Sequence, residues 1–198
     1  MRHQEHLAAL SPLLKKPYFT SKEAKILGVS SATLCYYVKI KRLKRINRGV
    51  YQDVNYFNKH AFLWSDLIEA TCSTPNGVIC LISALAVYNL TEEIPRQHWL
   101  AIRQQTSYKK SPDINITRFR NFNLGKTEIT LEGTLVPIYD KERTIIDSFR
   151  LLSRETAIKA LKSAVNMKGA ARIDFVKLEL YAKKLRFNIQ PYLEMISV

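Results

Sequence analysis

Apolar positions in the first sixty residues fall into short helical stripes separated by turn signals. Leu7, Leu10 and Leu14 recur at i, i+3 and i+7, which predicts one face of a helix ending near Pro17. Thr20 then precedes Ser21-Lys22-Glu23-Ala24-Lys25-Ile26-Leu27-Gly28. Thr20 suits an N-cap, Glu23 stands where a capping-box partner is needed, and Gly28 is a natural stop. A third helix is expected from Ser31 to about Lys41, capped by Ser30, with Leu34, Val38 and Cys35 facing inward. Two short helices across a glycine turn make a helix-turn-helix. Leu43, Ile46, Val50 and Tyr51 follow as two short strands around Asn47-Arg48-Gly49, a hairpin wing.

The remaining residues alternate between helical and strand patterns. Leu63, Leu67 and Ala70 form one stripe, and Ile79 to Leu90 reads as a buried helix entered from a short strand. Trp99 to Arg103, Ile114 to Arg120 and Ile129 to Tyr139 are rich in strand formers. From Lys141 onward the pattern is helical. Ile145, Phe149 and Leu152, then Ile158, Leu161 and Val165, then Ile173, Val176 and Leu180 each mark a face, with Gly169 dividing the last two helices. Tyr192, Leu193 and Met195 are expected to pin the tail. The expected fold class is α+β: an N-terminal winged helix-turn-helix followed by a larger domain with a small mixed or antiparallel sheet and C-terminal helices. The expected division is residues 1–58 and 59–198, with linkers at Asp53 to His60 and Gln104 to Asp113.

Charge adds a partner to this outline. The chain has 31 basic and 17 acidic residues, a formal net charge of +14, and 46% apolar residues, enough for packed cores. Residues 1–60 hold 12 of the basic residues and 3 of the acidic ones, so the positive field is densest in the expected head. Anionic partners are implied. The third helix is expected to leave Ser31, Thr33, Tyr36, Tyr37, Lys39 and Lys41 outside, and Arg42, Lys44, Arg45 and Arg48 arm the wing. Hydroxyls and tyrosine rings suit base edges and thymine methyls in a major groove, while the cations suit phosphates. Double-stranded DNA is the expected partner, with Ser31, Thr33, Tyr36 and Tyr37 reading bases. A second basic region holds Arg103, Lys109, Lys110, Arg118, Arg120 and Lys126 against Asp113 alone. It is either another nucleic-acid or toxin-facing surface or the solvated face of a strand.

The run Phe19-Thr20-Ser21-Lys22-Glu23 through Tyr51-Gln52 resembles the winged-helix start of AbiEi-type antitoxins, the regulatory half of a phage-defence toxin–antitoxin pair. Ser83, Ala84, Leu85, Leu90 and Pro95 resemble that family's Ser-Ala-Leu helix, Leu-Thr stop and Pro-initiated strand. Tyr139-Asp140-Lys141-Glu142-Arg143-Thr144-Ile145-Ile146-Asp147 is similar to its "PERTLLD" helix start, with Lys141 in place of proline. The resemblance covers roughly residues 15–190. It implies a protein that represses its own operon from promoter repeats and counters a co-encoded nucleotidyltransferase toxin, with direct contact between the two left open.

Enzyme signatures are missing from the sequence. Asn121 to Thr127 ends in Gly-Lys-Thr, but Arg120 stands where a phosphate loop needs its first glycine. The one ExK, Glu23-Ala24-Lys25, lies in a helix rather than on a metal-binding strand. Ser83 lacks a GxSxG elbow. Cys35, Cys72 and Cys80 show no CxxC spacing, and the four histidines are scattered. No enzyme, metal or cofactor is expected, nor a membrane partner, and a cytoplasmic location is expected from the lack of a long apolar run or signal-like start. Asp140, Arg143 and Asp147 are expected to cap a helix and pair locally. The alternative function is a winged-helix protein-interaction module without sequence-specific DNA binding.

Overall fold

The computed structural model describes residues 2–47, 49–56, 63–108 and 110–196. Its contacts gather into two compact units: Met1–Ser73 with Thr130–Val136, and Thr74–Ile129 with Pro137–Val198. The expected boundary at residues 58 and 59 lies outside the described residues.

In the first unit, α1 (Arg2–Leu14) is followed by β1 (Phe19–Thr20), α2 (Ser21–Ile26), α3 (Ser31–Lys39), β2 (Leu43–Asn47), β3 (Val50–Asp53) and α4 (Ser65–Ser73). Thr20 caps α2 as expected: its hydroxyl accepts from the Glu23 amide, and the Glu23 carboxylate accepts from the Thr20 amide at 2.7 Å. Gly28 at φ +77° reverses the chain, and Val29 donates back to the Ala24 carbonyl at 2.9 Å. That closed turn sets α3 against α2. Leu10, Phe19, Ala24, Val29, Leu34, Leu43 and Tyr51 form the core of this head. Each buried aliphatic side chain contributes about 1.5–3 kcal/mol relative to exposure.

The wing is a three-stranded sheet in the order β1-β3-β2. The sequence pattern predicts the β2–β3 hairpin but not β1, because two residues between helices carry no alternation to read. Phe19 pairs with Tyr51, and their rings stack at 6.0 Å. The hairpin register shifts between Arg45 and Asn47, a bulge at the end of β2.

The second unit contains β4 (Val78–Ile79), α5 (Leu81–Val87), β5 (His98–Arg103) and β6 (Ile114–Phe119). After these come β7 (Lys126–Leu131) and β8 (Thr134–Tyr139), whose hairpin end, Thr130–Val136, is counted with the first unit, and then α6 (Lys141–Leu151), α7 (Arg154–Asn166), α8 (Phe175–Lys184) and α9 (Gln190–Ile196). The sheet order is β6-β5-β4-β8-β7, and it is mixed: β4 runs antiparallel to β5 and parallel to β8, and β5 runs parallel to β6. The single strand expected over Ile129 to Tyr139 is two, broken at Glu132-Gly133. Both turn residues have positive φ, the pattern of a two-residue hairpin turn.

Helices α5 to α8 share a core of Leu85, Ile145, Ile146, Leu161, Leu178 and their neighbours. The face expected for α8 is corrected. Val176 is 80% exposed and Leu180 47% exposed, whereas Leu178, Tyr181 and Ala182 are buried. The helix starts at Phe175, after Asp174 caps it, so its inward stripe is set by Leu178 and Tyr181 rather than by continuing from Ile173. In the tail, Tyr192 and Leu193 pack on this core as expected, but Met195 is exposed.

Candidate nucleic-acid interface

Ser30 caps α3, its hydroxyl accepting from the Thr33 amide at 3.2 Å and lying 3.0 Å from the Thr33 hydroxyl. With the start of the helix fixed, 100° per residue decides what faces out. Leu34 and Tyr37 are buried, while Ser31, Ala32, Cys35, Tyr36, Lys39 and Ile40 are exposed. Tyr37 is therefore not a base reader: at 3% exposure it belongs to the head's core, one turn from Leu34. Burial also pushes its hydroxyl above the usual tyrosine pKa. Cys35 faces outward, opposite to expectation, for the same geometric reason. Ala32 and Cys35 complete an outer stripe of small side chains beside Tyr36, which is 40% exposed. The signal in the sequence that carries both positions is strict 3.6-residue spacing from Leu34.

Cations continue this face into the wing. Lys39 ends α3, and Lys41 follows at φ 57°, a left-handed position usually given to glycine. Arg42 donates its amide to the Tyr37 carbonyl at 2.9 Å, closing the helix end. The Arg42 side chain is half-buried, and its Nε is enclosed without a hydrogen-bond partner among the described residues. Lys44 and Arg45 stand exposed on β2. Arg48 lies outside the described residues.

Two acidic groups of the head are engaged locally. Asp53 is buried and accepts from the Asn55 amide, and Glu23 pairs with Lys16 at 2.9 Å. Burial pushes Glu23 upward, but hydrogen bonds from Lys16 and Thr20 outweigh it and hold the carboxyl below its usual value. The exposed cations Lys39, Lys41, Lys44 and Arg45 follow the small, partly aromatic outer stripe of α3 within a few residues of chain. Such an arrangement neutralises phosphates and offers hydroxyl and apolar contacts to base edges.

Residues 10–52 match the family model described as "Transcriptional regulator, AbiEi antitoxin". Over that stretch the head is similar to AbiEi-type regulators. The matched stretch runs from the end of α1 through the wing, so it contains α3 and the exposed cations of the head. The likenesses drawn from Ser83 to Pro95 and from Tyr139 to Asp147 lie outside it. No curated protein matches the chain.

In the second unit, Arg103, Lys110, Arg118, Arg120 and Lys126 are exposed, and Lys109 lies outside the described residues. Arg103 and Lys126 lie over the Phe122 ring at 5.3 and 5.4 Å, and Arg103 donates to Asn123 Oδ1 at 3.1 Å. Asp140 caps α6 as expected, accepting from the Arg143 amide at 2.8 Å. Arg143 is buried to 1% exposure. Its Nε donates to Asp147 at 2.5 Å, and one terminal nitrogen donates to the Asn121 and Leu124 carbonyls at 2.9 and 3.0 Å. Its guanidinium lies 4.9 Å from both the Phe119 and Tyr139 rings. Burial raises the Asp147 carboxyl above its usual value, and the guanidiniums of Arg143 and Arg150 oppose that shift. Gly125, at φ +69°, lets the loop close over this arginine; a Cβ there would lie 2.6 Å from Arg143 Cβ.

No helix among the described residues is long and apolar enough to cross a membrane. No group of histidine, cysteine or acidic side chains among them is arranged to hold a metal ion.

Proposed function

We propose that the chain is a DNA-binding autorepressor. It reads repeats in its own promoter with the outer face of α3, Ser31, Thr33 and Tyr36 together with Ala32 and Cys35. Lys39, Lys41, Arg42, Lys44, Arg45 and Arg48 hold the flanking phosphates. The observation that carries this reading is that the small outer stripe of α3 is followed directly in the chain by exposed cations at its end and on β2. The AbiEi-type match over the same residues supports a regulatory role. As an antitoxin, the chain counters a co-encoded nucleotidyltransferase toxin in phage defence, acting in the cytoplasm without catalysis of its own.

Anisotropy on duplex DNA from upstream of the gene tests the contact set. Neutralising about four phosphates gives a slope near −4 for log affinity against log salt, because bound counterions are released. A flat salt dependence contradicts the reading and leaves a protein-interaction module. For the antitoxin half, a Lys44→Ala, Arg45→Ala chain expressed beside the toxin is expected to lose repression and keep protection. Loss of both together would contradict a division of roles.

A further inference from the structure

Two adjoining clefts in the second unit collect cations from elements far apart in the chain. The larger, about 570 Å³, is walled by Arg118 and Arg120 at the end of β6, Arg143 and Arg150 of α6, and Lys184 and Arg186 at the end of α8. The smaller, about 470 Å³, adds Arg103 and Asn123. Both are lined by Arg120, Asn121 and Lys184, so they form one continuous trough. No carboxylate lines either cleft among the described residues; Asp147 lies beneath, occupied by Arg143 and Arg150 at 2.5 and 2.7 Å.

Local needs explain some of these charges. Arg143 holds the loop of residues 121–125, and cations at the end of α8 complement the negative end of its dipole. They do not explain the convergence. Arg120, Lys184 and Arg186 make no side-chain hydrogen bond or ion pair among the described residues, and Arg118 reaches only the Thr106 carbonyl, at 3.4 Å. Like charges gathered around a concavity repel one another unless an anion fills it. Guanidinium forks are well matched to phosphate oxygens, and Gln104 adds an amide able to meet base edges.

We propose that this trough binds single-stranded nucleic acid through its backbone phosphates. The cations are spread along two joined clefts rather than focused on one point, which suits a chain of phosphates better than a compact anion. A narrow concavity admits a single strand, whereas a duplex needs a broad surface or a groove-entering element. The site shares no residue with α3 and does not depend on the head reading duplex DNA.

The test uses the full chain and labelled, unstructured RNA and DNA strands of about twelve nucleotides, followed by anisotropy. The variant Arg120→Gln, Lys184→Gln, Arg186→Gln changes exposed side chains without local partners, and circular dichroism checks that its fold is retained. It is expected to weaken both strands by about tenfold or more and to flatten the salt slope by about two, with duplex affinity within about twofold of the parent. Equal RNA and DNA affinity supports recognition of phosphates alone, and tighter RNA binding supports added contact with the 2′-hydroxyl. Unchanged single-strand affinity overturns the proposal, as does an equal loss on duplex DNA. Displacement by inorganic tripolyphosphate as effective, per phosphate, as by the strand also overturns it in favour of a compact anion.

Discussion

The head and the second unit use cations in opposite ways. In the head, Lys39, Lys41, Lys44 and Arg45 lie within seven residues of one another and stand on the outside, while the core beneath them is apolar and aromatic. In the second unit the pivotal cation, Arg143, is inside, and its neighbours Arg118, Arg120, Arg150 and Arg186 come from three separate stretches of chain. The first arrangement leaves stability almost independent of charge. The second makes a charged side chain part of the core, where its removal strands a carboxylate.

The largest effect expected from this contrast is on Arg143. Arg143→Ala leaves Asp147 buried beside Arg150 alone and removes the guanidinium packed against the Phe119 and Tyr139 rings, so urea unfolding should show a loss of about 3–5 kcal/mol. A loss below about 1 kcal/mol would place Arg143 among ordinary surface cations. Next in size is the head's counterpart. Lys44→Ala with Arg45→Ala should weaken duplex binding by about tenfold for any sequence while changing stability by no more than about 0.5 kcal/mol. If that pair destabilises the fold as Arg143→Ala does, the contrast between outer and inner cations fails.

Smaller effects belong to the cap of α2. Thr20→Ala removes the hydroxyl that accepts from the Glu23 amide and should cost about 1 kcal/mol in urea unfolding. The smallest effect is on acid stability. Because the Glu23 carboxyl is held below its ordinary value in the folded head, its contribution is fully present above the unfolded pKa and is lost as pH falls through the folded one. Glu23→Gln should remove that part of the acid-side slope in a pH series of melting temperatures. An unchanged slope would show that Lys16 and Thr20 do not set the ionisation of Glu23.

These differences also explain what the sequence discloses. The capping box at Thr20 and Glu23, the Gly28 turn, the β2–β3 hairpin and the Asp140 cap depend on neighbours within a few residues, so their residue types are legible directly. β1 escapes notice because its identity as a strand comes from pairing with β3, thirty residues later. Tyr37 lies inside and Cys35 outside because the angle from Leu34, rather than aromatic or thiol character, sets which side of a two-turn helix faces the core. Of the candidate site, the outward cations of α3 and β2 are visible as a local run, as are Arg118 and Arg120. Lys184 and Arg186 look like an ordinary basic helix end until the fold brings them beside β6. A charge cluster built by tertiary contact has no spacing in the sequence.

The central claim is that the outer face of α3 reads bases while the adjoining cations hold phosphates. The most direct measurement is the ratio of affinities for promoter DNA and a scrambled duplex of the same length, taken for the parent, Tyr36→Ala, and Lys44→Ala with Arg45→Ala. The ratio is expected to fall about tenfold or more in Tyr36→Ala and to stay within about twofold in the cation variant, although the latter binds both duplexes more weakly. An unchanged ratio in Tyr36→Ala, or an equal fall in both variants, would contradict the account.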